Sequence, residues 1–440
     1  MRYSAPPYMY DVLPYGSARD PWLITARWRT VERLFRDVCR RFGYREIRTP
    51  ILEQTELFER SIGEATDIVS KEMFTLSTPG GRSLTLKPEG TAPAVRACIE
   101  HKLFNEHPVL KLYYIGQNFR YERGQRGRYR QHQQLGVEVF GVADPAVDAE
   151  VILLAMRFFE ELGISGLELR INSVGTAQSR PRYREALRDF VRPFLGEMSE
   201  EGRMRFEVNP LRMLDTKDEK DLCLLEGAPA LVDYLDDESR LHFETLQSYL
   251  SAAGLSYVID NRLVRGFDYY TKTAFEIVAT DLGSQNAVCG GGRYDGLVEE
   301  CGGPSIPGIG FGLGTERCLI VLDQLGISLP VEDERPFAFI VTIGKEALVR
   351  PAAVSLLGRI RAAGVSADMA YAGRKMPQQL KRADDLGARY TLILGDGEVE
   401  RGVAGLRSQA TKEQRDVPLA DLPGLLRTMQ SEQATGGEQI

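Results

Sequence analysis

The chain has 440 residues, 43% of them hydrophobic and 27% charged, and a formal net charge of −7. That length exceeds one ordinary core and implies two or three domains, and the composition is that of a folded protein. No run of about 18 apolar residues occurs, which excludes a membrane-spanning helix, and the acidic total argues against nonspecific DNA packaging while permitting a local basic surface. The six cysteines are scattered without a CxxC pair, and there are only four histidines. This pattern fits thiols in a reducing cytoplasm and no metal site of the protein's own. The opening residues, MRYSAPPYMYDVLPYG, lack the basic start and apolar core of a secretory signal.

Asp20-Pro21 supplies an N-cap carboxylate and a proline at the first helical position, and Gly43 a stop. Together they predict a long amphipathic helix between them. Residues 45–48 read as a short strand entering Pro50, and 91–105 as a helix. KLYYIGQNFRYE (111–122) and the stretch 130–141 have strand composition on either side of RGQRG, which is the pattern of a hairpin with a long tip. A helix is expected from Pro145 to Leu162 and a strand over 167–174. Residues 175–258 turn to charge and helical spacing and form a mostly helical insertion. Strand-like, glycine-rich sequence returns from 259 and ends in a helix, so 1–174 and 259–328 make one interrupted domain. The proline and charge content of 329–336 reads as a linker. Residues 337–430 alternate strand and helix as a compact α/β domain, and 431–440 form a flexible tail.

The segment FRYERGQRGRYRQ (119–131) concentrates Arg120, Arg123, Arg126, Arg128 and Arg130. A nucleic-acid patch, a phosphate site and a solvated strand face all fit such a stretch. Familiar nucleotide loops do not fit elsewhere: GIGFGLG (308–314) is not GxGxxG after a strand, and Gly344-Lys345-Glu346 lacks the rest of a phosphate loop. Alternate glycines in a strand suggest instead a surface that a planar ligand or another backbone approaches closely. Three further groups stand out: Glu89 and Thr91 at a strand-to-helix transition, Gln134 and Glu138 on one face of a strand, and Arg265 with Tyr269 and Tyr270. Singly they read as a helix cap, a solvated strand face and a buried tyrosine pair.

Taken together with GGGRYDGL (290–297) and GLGTER (312–317), these stretches resemble the histidyl-tRNA synthetase family of class II aminoacyl-tRNA synthetases over nearly the whole chain. YREIRTPILEQTELFER is similar to the first class motif, the arginine hairpin to the second, and GFGLGTER to the third, while LVRGFDYY and GGRYDGL resemble signatures of the histidine enzymes. The resemblance implies an α+β catalytic domain with an antiparallel sheet and a helical insertion, followed by an α/β anticodon-binding domain. It also implies a homodimer, with Pro50 at its interface.

The resemblance further implies activation of L-histidine by ATP, with Mg2+ bound to the triphosphate, then transfer to histidine tRNA. Catalytic roles fall to Arg120 at the α-phosphate, Arg265 near both the α-phosphate and the histidine carboxylate, and Arg317 at the γ-phosphate. Arg128 is grouped with ATP, although triphosphate and tRNA both remain open for it and for Arg126. Glu89, Thr91 and Gln134 would hold the α-ammonium, with Gly90 counted in the same histidine site and Tyr269 in the wall. A neutral imidazole has one donor and one acceptor, which Glu138 and the Tyr270 hydroxyl would answer. Arg123 and Gln125 would meet tRNA, and Arg374, Lys375, Lys381 and Arg382 either hold anticodon-stem phosphates or form a solvated face. Two departures occur: Pro7-Tyr8 stands where the family has Arg-Gly, and His132-Gln133 where an aromatic residue and His are common. The rival is the synthetase-like regulatory subunit of ATP phosphoribosyltransferase, whose members generally lack the C-terminal domain and parts of the adenylate site.

Overall fold

Gly43, at a φ of 82°, ends the first helix where a residue without a side chain is needed. The computed structural model describes residues 3–16, 20–63, 66, 68–125, 127–264, 269–279, 287–331, 334–371 and 375–436. They divide into two compact units, Met1–Val331 and Glu332–Ile440.

In the first unit the strands are β1 (Arg45–Glu46), β2 (Leu52–Gln54), β3 (Phe74–Ser77), β4 (Ser83–Leu86), β5 (Leu110–Phe119), β6 (Gln131–Phe140), β7 (Leu167–Ser173), β8 (Val258–Ile259), β9 (Thr271–Ala279), β10 (Ala287–Arg293) and β11 (Gly308–Gly314). Eight of them form one sheet in the order β1-β5-β6-β11-β10-β9-β7-β8, and β2-β4-β3 form a small second sheet. Only the edge pairs β1–β5 and β7–β8 are parallel. The sheet is therefore mostly antiparallel.

Side-chain alternation gives this sheet two unlike faces. Leu135, Val137 and Val139 of β6 and Ile309, Phe311 and Leu313 of β11 are buried. They share a core with Phe35 and Val38 of the helix Thr25–Arg41, Phe158 and Phe159 of the helix Pro145–Glu161, and Leu319 of the helix Thr315–Gln324. Truncating a buried phenylalanine such as Phe158 would cost about 3–5 kcal/mol. The opposite face carries the intervening residues: Tyr114, Gly116 and Asn118 of β5, His132, Gln134, Gly136 and Glu138 of β6, and the glycines of β11.

Most of the insertion is helical, as expected, with its own core of Tyr183, Leu187, Val191, Met198, Phe206, Met213, Leu225 and Leu231. The helix Asp237–Ala252 differs from that expectation: its Phe243, Leu246 and Leu250 join the core of the main sheet. An amphipathic period reveals that a helix has an apolar face, but not which core receives it.

Other boundaries also move. The first helix begins at Thr25 and not at Pro21, because Trp22 and Leu23 are spent on the core and Asp20 closes a turn onto Leu23 N–H at 3.1 Å. The expected helix 91–105 breaks after Glu100, where Lys102 has a φ of 54°. The two units part within the expected linker 329–336, at whose start Pro330 O accepts from the Thr30 hydroxyl at 3.3 Å and Leu329 packs on the first core.

The second unit has parallel strands β12 (Ala338–Ile343), β13 (Ala367–Met369) and β14 (Tyr390–Gly395), then antiparallel β15 (Val403–Ser408) and β16 (Gln414–Pro418), in the order β13-β12-β14-β15-β16. The helix Glu346–Ala362 and Leu422 and Leu426 of the last helix cover one face, and the helix Met376–Asp385 the other. The region read as a flexible tail from 431 instead starts inside the helix Leu422–Gly436, and 437–440 lie outside the described residues.

Candidate active site

The open face of the large sheet floors a cleft of about 700 Å³. It brings together Glu89, Thr91, Arg120, Arg128, Gln134, Tyr269, Tyr270 and Arg317, which lie far apart in sequence. The cleft has two dissimilar ends.

At one end carboxylates are buried among hydroxyls. Glu138 is 1% exposed and lies beneath the lining. Its Oε1 accepts from the Thr91 hydroxyl at 2.7 Å and from Tyr114 at 3.1 Å, and its Oε2 from Tyr294. Burial pushes Glu138 up to about 8, against the opposing pull of the Tyr294, Thr91 and Tyr114 hydrogen bonds. Glu138 is expected as the acceptor for imidazole, and its two oxygens hold three hydroxyls. Glu89 is also buried, and its two oxygens accept the Thr91 and Ala92 N–H groups at 2.6 and 2.7 Å. It therefore lines the cleft and also caps the helix Thr91–Glu100, whose positive end favours a carboxylate. Burial raises its pKa, and those two backbone bonds restrain the rise. Gln134 accepts from Asn118 Nδ2. The Tyr269 and Tyr270 rings lie 4.7 Å apart, with Tyr294 edge-on to Tyr269 at 5.6 Å.

The alternating glycines of β11 now have a specific cause. A Cβ on Gly310 would fall 2.1 Å from Glu138 Oε2, and one on Gly312 2.1 Å from Gln134 Nε2. Side chains leaning across from β6 fill the space that a residue on β11 would need. The expected close approach is thus in part by neighbouring side chains.

Guanidinium groups held by carbonyl oxygens make up the other end. Arg120 Nε donates to Pro88 O at 2.8 Å, and Arg317 donates to Gly127 O at 3.2 Å and to Ala287 O. Glu122 lies between Arg120 and Arg128, at 3.7 and 3.2 Å. Burial and then Arg128 lower the Arg317 pKa, while Glu122 and Glu276 raise it. His132 lines the same end, and burial followed by the Arg120 and Arg317 charges pushes it down to about 3. A ring so weakly basic is neutral near pH 7 and is a poor proton acceptor. Gln133 is structural: its N–H donates to Glu316 Oε1 at 2.7 Å, and its side chain bonds Glu32 and Thr315.

Not every candidate reaches the cleft. Gly90 lies against Tyr114, whose ring a Cβ would meet at 2.2 Å, and it is absent from the lining. Arg123 and Gln125 are exposed on the loop, where Gln125 and Arg128 exchange backbone hydrogen bonds at 3.3 and 2.9 Å. Arg265, Arg126 and Arg374 lie outside the described residues; Val264 and Tyr269, either side of the first gap, both line the cleft. The sequence reading missed Tyr114, Asn118 and Tyr294, although period-two spacing puts Tyr114 and Asn118 on the face of Arg120. It also missed Arg212, Thr216 and Lys217 of the insertion, which border the cleft and carry no local motif.

Residues 24–318 match the family model described as histidyl-tRNA synthetase, and residues 338–429 match that of the anticodon-binding domain. Fold and site thus define an aminoacyl-tRNA synthetase with an appended anticodon-binding domain. The chain is 50% identical to a histidine–tRNA ligase of Desulforamulus reducens over 90% of its own length and 94% of the relative's. It is 47% identical to that of Caldanaerobacter subterraneus over 95% and 98%. The crystal structure of apo S. aureus histidyl-tRNA synthetase superposes with a TM-score of 0.79 at 38% identity, covering 97% of this chain and 100% of that one. The chain belongs to the histidyl-tRNA synthetase family. Among the described residues, no helix is long and apolar enough to cross a membrane.

Proposed function

We propose that this chain activates L-histidine with ATP and transfers it to histidine tRNA in the cytoplasm, with the two ends of the cleft dividing the work. A carboxylate oxygen of histidine attacks the α-phosphorus, and the bond to pyrophosphate breaks. The substrate supplies its own nucleophile, so the protein must provide alignment and fixed positive charge. Arg120, Arg265 and Arg317 supply that charge, with Arg128 beside them on the triphosphate. The observation carrying this reading is the carbonyl anchoring of Arg120 and Arg317, which fixes each guanidinium toward the cleft before substrate arrives. In the second step the terminal ribose 3′-oxygen attacks the adenylate carbonyl and AMP leaves.

Glu89, Thr91, Gln134, Glu138, Arg265, Tyr269 and Tyr270 form the histidine site. Gly90 contributes by keeping clear of Tyr114. The Glu138–tyrosine network favours a ligand with matched donor and acceptor, because a poor match leaves buried polar groups unpaired. Mg2+ would arrive with ATP and neutralise phosphate charge. Glu122 and Glu276, close enough to raise the Arg317 pKa, are carboxylates suited to it. The described residues hold no group of three metal-ligating side chains, so phosphate oxygens would complete its shell. Arg123 and Gln125 face tRNA on the exposed loop. Residues 175–258 act as a mostly helical insertion, whose Arg212, Thr216 and Lys217 border the cleft. A homodimer is supported by Ile51 and Leu52, 48% and 41% exposed beside Pro50; sedimentation at the monomer mass would contradict it.

The anticodon-domain match and the gathering of Glu89, Arg120, Gln134, Tyr270 and Arg317 in one cleft disfavour a regulatory subunit. Histidine-dependent ATP–pyrophosphate exchange followed by charging of a histidine tRNA transcript tests the assignment. Histidine binding without exchange would reinstate the regulatory reading.

A further inference from the structure

The N-terminal segment departs from the family at Pro7-Tyr8, and the structure gives those residues a shape and a contact. Pro6 O accepts the Met9 N–H at 3.1 Å, and Tyr8 has a φ of 61°. This is a turn with proline at its second position and a left-handed residue at its third, where glycine or asparagine is favoured. Tyrosine there is strained. The residue is 48% exposed, so core burial does not explain why it is tolerated.

The ring's contacts lie on the arginine loop. Arg130 has its guanidinium carbon 5.4 Å from the Tyr8 ring centre and 3.7 Å from that of Tyr121. Its buried Nε has no hydrogen-bond partner among the described residues, so the aromatic faces hold the cation in place of a carboxylate. The Arg130 N–H donates to Tyr8 O at 2.9 Å, and Arg130 O accepts from the Arg120 N–H at 3.0 Å. At the tip, a Cβ on Gly124 would come within 2.0 Å of the Tyr8 ring; the ring thus lies flat on the backbone between Arg123 and Gln125. A second anchor sits two residues on. The Tyr10 hydroxyl donates to Glu316, and the Tyr10 ring meets Tyr129 edge-on at 5.0 Å.

We propose that the N-terminal segment is a strap that shapes the arginine loop for the tRNA acceptor end, with Tyr8 as its positioning residue. The inference rests on the reading that Arg123 and Gln125 face tRNA. Tyr8 touches the tip and the Arg130 base of the loop, while the Arg120 guanidinium is held separately by Pro88 O and Arg120 meets Arg130 through its backbone N–H. The effect of the strap therefore falls on tRNA and not on ATP.

The test compares the full chain with its Tyr8→Phe and Tyr8→Gly variants. Glycine relieves the turn and removes the ring, so Tyr8→Gly should melt no lower than the parent chain. It should raise KM for a histidine tRNA transcript about fivefold, the loss of one exposed cation–π contact. KM for ATP and histidine in exchange should stay within about twofold. Tyr8→Phe should match the parent chain throughout. An unchanged tRNA KM in Tyr8→Gly, a parallel loss in exchange and charging, or a phenylalanine variant as impaired as the glycine one would overturn the strap. Tryptic cleavage at Arg123 gives a readout independent of activity: it should quicken in Tyr8→Gly alone, and equal rates in all three chains would also overturn it. If the parent chain neither exchanges nor charges while cleavage behaves as expected, the functional reading fails and takes the tRNA role of the strap with it, and only the hold of Tyr8 on the loop stands.

Discussion

The two ends of the cleft hold charge in opposite ways. At the histidine end, Glu138 and Glu89 are 1% and 2% exposed, and every partner named for them is a hydroxyl or a backbone N–H. At the phosphate end, the Arg120 and Arg128 side chains are 20% and 37% exposed. Their guanidiniums are tethered by a carbonyl or share the Glu122 carboxylate. The difference follows from the tasks. Discriminating a small heterocycle requires a dry network whose unpaired members are costly. Stabilising a transferring adenylyl group and its pyrophosphate leaving group requires cations that never lose their proton and stay open to a large anion.

Substitutions at each end should therefore give distinct failures. The largest effect is expected from Arg265→Ala, which should slow adenylate formation about 10²–10³-fold, as for loss of one preorganised charge contact; exchange kinetics with intact tRNA binding would check it. Gly310→Ala comes next. Its Cβ would sit 2.1 Å from Glu138 Oε2 and 2.3 Å from Val137 O, so backbone must move, at a cost of about 1–3 kcal/mol. Thermal melting should show that loss, and KM for histidine should rise ahead of KM for ATP. Arg128→Ala should raise KM for ATP about threefold to tenfold, since Arg128 is half-solvated and shares Glu122.

The smallest effect concerns pH. Burial pushes Glu316 up to about 7, above its usual value near 4.5, against the pull of the Tyr10 hydrogen bond. Its Oε2 has no partner among the described residues. Between pH 4.5 and 7 the unfolded chain gives up this proton first, so the contribution of Glu316 to stability is full below that window and declines as pH rises through it. Glu316→Gln keeps the Oε1 acceptor and removes the titration. Melting temperature across that window should then fall less steeply than in the parent chain.

How much of this was legible depended on whether the signal was local. Strand composition in 111–122 and 130–141 marked β5 and β6, and period-two spacing put Gln134 and Glu138 on one face. Gly43 and Pro145 marked helix ends by backbone geometry alone. The β15–β16 pair escaped notice because β16 is largely solvated and polar, with Val417 its one buried residue. The first helix began late because tryptophan and leucine at 22 and 23 fit a helical period and a core-packed turn equally well. At the site, residue types pointed to the right chemistry, but Tyr294 meets Glu138 only through the fold, from 156 positions away. His132, a lone titratable residue on a strand, carried no catalytic signal in the sequence, and burial followed by the Arg120 and Arg317 charges keeps its ring weakly basic.

The division between the two ends is tested most directly by measuring both substrate KM values in exchange for Tyr294→Phe and Arg317→Ala side by side. Tyr294→Phe deprives buried Glu138 of a donor. It should raise KM for histidine about tenfold, the cost of one unmade buried hydrogen bond, and leave KM for ATP within about twofold. Arg317→Ala should do the reverse, weakening ATP and sparing histidine. If either variant moves both constants together, the cleft works as one undivided site and the account is wrong.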